Sequence, residues 1–169
     1  SAGVSRFDAI FFSSSMRNVV GEGGGAVHAI WGTVLITLAA AVISIPIGLM
    51  TAIYLVEYGA GKRIARGITF LVDVMTGIPS IVAGLFAYAL FALFFGAGVR
   101  LGIMGSIALS VLMIPVVVRS SEEMLRLVPN ELREAAYALG VPKWLTILKV
   151  VLPPAIAGIT TGVMLSIAR

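Results

Sequence analysis

Long apolar runs that contain no charged residue constrain the fold of this chain more than any other feature. No Asp, Glu, Lys or Arg occurs from Ala29 to Val56 or from Val74 to Val99. Because a helix rises about 1.5 Å per residue, roughly 20 apolar residues cross a hydrocarbon core about 30 Å thick. These runs therefore predict transmembrane helices.

Four such runs predict an all-α, polytopic transmembrane helix bundle. We expect spans at about 29–56, 74–99, 101–118 and 150–169, within a transmembrane domain of residues 28–169. The chain begins without Met and stops directly after an apolar run. We therefore expect the bundle to be incomplete at both ends.

The composition excludes several classes of protein. Only 12% of the residues are charged, against about 25% in soluble domains, which argues against a soluble enzyme or a nucleic-acid-binding domain. The chain has no Cys and a single histidine, His28. We therefore expect no disulfide, no His-based metal site and no cofactor, and we interpret His28 as a residue at the outer membrane interface.

Lys and Arg are distributed unevenly between the segments that connect the predicted spans. Cytoplasmic loops of membrane proteins carry an excess of these cations. Segments 57–67 and 119–149 hold eight of the 12, whereas segment 1–27 and the turn at Arg100 hold three. This asymmetry predicts that 57–67 and 119–149 are cytoplasmic and that 1–27 is extracytoplasmic.

The long connection 119–149 has the pattern of a short surface helix followed by a second helix. Pro129 ends the preceding helix, and Asn130 is suited to cap a new one from Glu131. Gly140 fits the left-handed position after a helix end. One apolar stripe follows at helical spacing: Leu132, Ala135, Ala136 and Leu139. On these residues alone, a helix that fits a groove on a partner and an amphipathic connection on the lipid surface remain equally open.

A motif in this loop resembles the EAA loop of ABC-importer permeases. Its residues are Glu134, Ala135, Ala136, Gly140, Leu152 and Pro153, with Val150 in the position where isoleucine is usual. The resemblance implies a type I ABC-importer permease (MetI-like) core. It also implies that Glu134, Ala135, Ala136 and Gly140 dock on the ATPase, and that Leu152 and Pro153 shape the entry to the last span.

Further segments resemble the permease subunits of bacterial phosphate ABC importers. They are residues 23–33, 46–58, 77–86, 122–125 and 165–169. The resemblance implies a multi-pass protein of the bacterial inner membrane. Its implied partners are an ATPase subunit dimer, a sister permease with which it forms a heterodimer, an extracytoplasmic phosphate-binding protein, phosphate and the lipid bilayer, without nucleic acid.

Arg169 is the candidate residue of the substrate pathway. A phosphate anion needs replacement donors inside a membrane protein, and the guanidinium group of arginine offers a planar pair of them. In phosphate permeases, an arginine after a Leu-x-x-Ala stretch is associated with the transport path. The alternative is an arginine whose side chain reaches the outer interface. We further predict that Asp73 pairs with Arg66 and that Arg100 is solvated.

Three other functions remain as alternatives. A permease of the same architecture could carry molybdate, sulfate or another small solute. An ion-gradient-driven transporter would need intramembrane carboxylates, and no acidic residue lies in the middle of a predicted span. A membrane scaffold would not depend on Arg169. The segment before Arg63 lacks a complete P-loop pattern, so we expect ATP hydrolysis to occur on a partner.

Overall fold

The computed structural model describes residues 26–96 and 102–168, and the regular elements of these ranges are helices. The predicted all-α fold is confirmed. We number the helices in chain order: α1 (Val27–Tyr58), α2 (Arg63–Thr76), α3 (Ser80–Phe95), α4 (Gly102–Arg126), α5 (Asn130–Ala138) and α6 (Lys143–Ala168). Segment 1–25, Arg100 and Arg169 lie outside the described residues.

Two of the long helices contain a π-helical segment, one at the C-terminal end of α1 and one near the N-terminal end of α6. Residues Tyr54–Tyr58 close α1 in this form, and Ile147–Val151 have it within α6. In α6 the segment ends two residues before Pro153, and Pro153 and Pro154 have no N–H to donate to the carbonyl groups four residues earlier. A local π-helical turn lets the helix continue past such a disturbance.

The second predicted span is divided into two helices. The axes of the two helices, measured over residues 63–76 and 81–94, differ in direction by 105°. The predicted span 74–99 therefore contains the last residues of α2, the break and all of α3. Pro79 explains the break, because proline disfavours a helical conformation at the preceding Ile78. By length and composition, α1, α4 and α6 can each cross a membrane, and α2 with α3 adds a fourth span if the bent pair counts as one.

Helix α4 lies at the centre of the bundle. Near its end, Leu125 packs with Ala52 of α1 and with Val151 and Ala155 of α6. Farther from that end, Met113 packs with Ala40 and Ala41 of α1. Helix α4 contacts every other long helix of the described residues. A displacement of its C-terminal end would therefore change the packing of several helices.

Small residues allow the helices to approach closely, as their spacing predicts. Ser106 and Ser110 of α4 are buried. A Cβ atom at Gly158 of α6 would overlap the side chain of Met124, and one at Gly162 would overlap Ser120. Such close packing replaces the hydrophobic drive that is missing between helices in lipid.

Candidate functional site

The loop helix α5 begins one residue earlier than the sequence predicts. Pro129 occupies the N-cap position in an extended conformation, and Asn130 is the first helical residue. The Asn130 side chain makes no capping bond. Its Oδ1 instead accepts a hydrogen bond from Nη1 of Arg133, at 3.2 Å. The predicted capping role of Asn130 is therefore wrong, since proline fixes the start of the helix.

Gly140 ends this helix in the left-handed conformation that the sequence predicts, with φ of 74°. The backbone N–H of Gly140 donates to the Tyr137 carbonyl at 2.9 Å, and that of Val141 donates to the Ala136 carbonyl at 3.1 Å. This pair of bonds is the Schellman arrangement, which satisfies two carbonyl groups at a helix end. It turns the chain sharply from α5 towards α6.

Most of the predicted apolar stripe of α5 faces away from the chain. Ala136 is buried, whereas Leu132, Glu134 and Ala135 are exposed and Leu139 is 84% exposed. An exposed leucine on a short helix leaves apolar area without a partner in this chain. Of the predicted stripe, only Ala136 is buried in this chain, and the exposed face of the helix is mixed acidic and apolar.

Arg133 holds α5 against the ends of two long helices. Its Nε atom lies 3.0 Å from Oε1 of Glu57, and the side chains of Arg133 and Glu57 are only 12% and 4% exposed. Its Nη2 atom donates to the Leu125 carbonyl at 2.9 Å, and Nη1 donates to the Val128 carbonyl at 2.6 Å. Sequence reasoning missed this pair, although Arg133 lies three residues before the buried Ala136 and thus on the same helix face.

Lys143 connects the first turn of α6 to Glu57 at the end of α1. Its ammonium group donates to the backbone carbonyl of Glu57. The Nζ atom also lies 4.8 Å from the ring centroid of Tyr58, within the range of a cation–π interaction. The end of α1 therefore contacts the helices on both sides of the turn at Gly140, α5 and α6.

A second group of charges joins α2 to α4. Glu122 lies between Arg119 and Arg126, with oxygen–nitrogen distances of 2.9 and 2.8 Å. Arg119 also pairs with Asp73 of α2. The predicted partner of Asp73, Arg66, is therefore wrong, because folding brings Arg119 to Asp73 from another helix.

A cavity of about 270 Å³ lies beside the break between α2 and α3. The turn supplies Ile78 and Pro79, and α6 supplies Ser166. Ser166 is buried and precedes the candidate pathway residue Arg169 by three positions in the sequence. The remaining lining residues are Met75, Thr76, Leu109, Leu112 and Met113.

The two other residues of the motif lie at the start of the straight part of α6. Leu152 packs against the cluster that contains Ala52 and Leu125, and Pro153 is exposed. Within residues 26–96 and 102–168, no group of three or more His, Cys, Asp or Glu side chains is arranged to hold a metal ion.

An apolar helix bundle of this size, with a charged loop helix at one end, defines a multi-pass membrane protein. Residues 44–169 match the family model of the binding-protein-dependent transport system inner membrane component. The chain belongs to this family. Permease subunits of this kind are not themselves catalytic.

Curated relatives carry a more specific name. The chain is 53% identical over 161 residues to "Phosphate transport system permease protein PstA 1" of Mycobacterium tuberculosis (strain CDC 1551 / Oshkosh), covering 94% of this chain and 52% of the relative. It is 52% identical to PstA of Mycobacterium leprae (strain TN), covering 98% and 54%. For PstA of Yersinia pestis the values are 46%, 87% and 49%. The chain thus spans about half the length of the curated relatives it matches.

A solved structure has a similar fold. It is an inward-facing conformation of the MetNI methionine ABC transporter, with a TM-score of 0.74 and 25% identity, covering 83% of this chain and 67% of the other. The predicted MetI-like permease core is confirmed.

Proposed function

We propose that this chain is the core of a permease subunit of an ATP-driven phosphate importer in a bacterial inner membrane. The observation that carries the proposal is the 46–53% identity to phosphate permeases over 87–98% of this chain. The chain would form half of the translocation pathway beside a sister permease. An extracytoplasmic binding protein would deliver phosphate, and a dimer of ATPase subunits would supply the energy.

The loop helix α5 would be the docking element for the ATPase. Its exposed Glu134, Ala135 and Leu139 offer an acidic and apolar surface of the kind that fits a groove on a partner. Gly140 would fix the angle at which α5 leaves the docking site, and Leu152 and Pro153 would carry the displacement into α6. ATP-driven closure of the ATPase pair would then reorient the bundle, with hydrolysis resetting it.

Phosphate would pass close to Arg169, which follows the last residue of α6 in the sequence. A guanidinium group binds a phosphate oxyanion through two parallel hydrogen bonds. The cavity beside Ser166 and the break at Gly77–Pro79 would belong to the same pathway, because non-helical backbone in a membrane domain must be covered by protein or water.

A co-purification experiment tests the docking role. We expect Glu134→Lys to insert in the membrane and to lose the ATPase, because the substitution reverses the charge of the exposed surface. Glu123→Lys is the matched control, since Glu123 is also exposed and lies on α4, and we expect it to retain the ATPase. Equal ATPase recovery with both variants would exclude α5 as the docking element.

Uptake by the complete transporter tests the cargo. We expect ATP-dependent uptake of radiolabelled phosphate that excess unlabelled phosphate suppresses and that molybdate and sulfate leave unchanged. Uptake that molybdate blocks while phosphate has no effect would assign the transporter to another anion. Uptake that persists without the ATPase subunits would indicate an ion-gradient-driven transporter instead.

A further inference from the structure

The carboxylate of Glu57 is buried at the last turn of α1, where a lone charge would be costly. Its side chain is 4% exposed, and Nε of Arg133 lies 3.0 Å from its Oε1 atom. Removing one member of a buried ion pair leaves the other charge uncompensated, which is strongly unfavourable. The position of Glu57 is therefore tied to that of Arg133, which is 76 residues away in the sequence.

The same guanidinium group also satisfies the end of α4. The last carbonyl groups of a helix have no partner within the helix, and a cation is favoured beside them. Arg133 donates to the carbonyl oxygen of Leu125, in the last turn of α4, and to that of Val128. A displacement of Arg133 would therefore break contacts with α1 and α4 together.

Lys143 links a fourth helix, α6, to the group formed by α1, α4 and α5. Its ammonium group donates from the first turn of α6 to the backbone carbonyl of Glu57. The Glu57 carbonyl lies in the π-helical segment Tyr54–Tyr58. The carboxylate of Glu57 thus holds α5, and its carbonyl group holds α6.

We propose that Glu57 and Arg133 form a clamp that makes the ends of α1, α4 and α6 move together with α5. The proposal rests on the proposed function, in which α5 receives the displacement from the ATPase. Arg133 is then a positioning residue. It transmits the motion of the docking surface, whereas Glu134, on the exposed face, contacts the ATPase itself.

Neutralising the clamp in the complete, reconstituted transporter separates transmission from docking. We expect Glu57→Gln to retain the ATPase and to continue hydrolysing ATP, while phosphate uptake per ATP falls at least about fivefold, the lower end of common coupling effects. Glu131→Gln is the control, because Glu131 is an exposed acid on α5 outside the clamp. The double variant Glu57→Gln/Arg133→Gln leaves no unpaired buried charge, and we expect the same loss of uptake per ATP.

Unchanged uptake per ATP in Glu57→Gln and in the double variant would overturn the proposal. A parallel loss of ATPase binding and uptake would overturn it as well, because the pair would then serve assembly only. Failure of the proposed function is distinguishable, since the unsubstituted transporter itself would show no ATP-dependent phosphate uptake.

Replacing the ion pair by a covalent crosslink distinguishes transmission of motion from a purely structural role, because only transmission predicts that the crosslink restores uptake per ATP. The 169 residues contain no Cys, so Glu57→Cys/Arg133→Cys introduces the only thiol pair within them. We expect low uptake per ATP in this variant and recovery after a short, flexible bis-thiol crosslinker joins the two positions. A crosslinked transporter that remains uncoupled would show that the two positions must separate during the cycle, which would overturn the clamp.

Discussion

Gly48 of α1 lies directly against Val117 of α4. A Cβ atom built at Gly48 would come within 2.6 Å of Cγ1 and 2.8 Å of Cβ of Val117, closer than carbon atoms approach without contact strain. The two helices can therefore cross at this point only because position 48 has no side chain.

Gly48→Ala should separate α1 from α4. Overpacking of a closely packed core costs about 1–3 kcal/mol, so we expect a loss of that size in the stability of the purified chain in detergent. Gly32→Ala is the matched control on the same helix, because nothing lies within 4 Å of a Cβ atom there. We expect it to be neutral or to stabilise the helix by up to about 1 kcal/mol. Equal effects would contradict the close crossing.

Glu122 and Asp73 should differ in their contribution to stability, although both pair with Arg119. The Glu122 side chain is 8% exposed and bridges two arginines, whereas the Asp73 side chain is 56% exposed. Removing Glu122 takes a partner from both Arg119 and Arg126 at a buried position, whereas an exposed pair such as Arg119–Asp73 contributes about 0–1 kcal/mol. We therefore expect Glu122→Gln to lower the denaturation midpoint in detergent well below that of Asp73→Asn, and similar midpoints would contradict the buried bridge.

Gly140 should tolerate only residues that accept a left-handed conformation. With φ at 74°, Gly140→Ala should cost about 1 kcal/mol at the end of α5, and Gly140→Asn should cost less. Gly140→Pro removes the N–H that bonds Tyr137 and fixes φ near −65°. We expect this last variant to insert in the membrane but to lose the ATPase in co-purification.

Gly67→Ala is the control for the substitutions at Gly140. Position 67 lies in α2, has no positive φ and has no atom within 4 Å of a built Cβ. Its ATPase recovery should equal that of the unsubstituted chain. Full recovery with Gly140→Pro would show that the turn angle does not matter for docking.

Arg169→Ala should abolish phosphate uptake without releasing the ATPase, because the substitution removes the proposed donors to the anion while leaving α5 intact. Arg169→Lys keeps the charge but loses the paired geometry, so we expect partial uptake. If the chain served only as a scaffold and did not itself carry phosphate, Arg169→Ala would leave the uptake by the assembled complex unchanged.

Local patterns in the sequence predicted the parts of the structure that depend on neighbouring residues. Apolar length predicted α1, α4 and α6, and the glycine after the apolar stripe predicted the turn at Gly140. Small residues four positions apart predicted the close contact of Gly158 and Gly162 with α4. Each of these features follows from helix periodicity or from the backbone preference of one residue.

Contacts between distant segments could not be predicted in the same way. Glu57 pairs with Arg133 across 76 residues, and Asp73 pairs with Arg119 across 46, because folding brings the end of α1 to α5 and brings α2 to α4. The expected pair of Asp73 with Arg66 relied on their seven-residue spacing, which places both on one face of a helix. Hydropathy likewise did not resolve the break before α3, because Gly77, Ile78 and Pro79 lie inside the uncharged run 74–99.

The 105° break between α2 and α3 also affects where the bundle has room for water. The N–H groups of Gly77 and Ile78 donate to the carbonyls of Val74 and Met75, whereas hydrocarbon offers no donor to carbonyl groups at a point where the regular helix ends. The adjoining 270 Å³ space has room for several waters, each taking about 30 Å³. The break at Pro79 thus leaves the bundle a recess with room for water, and a solvated ion that leaves bulk solution needs such room for the waters it retains.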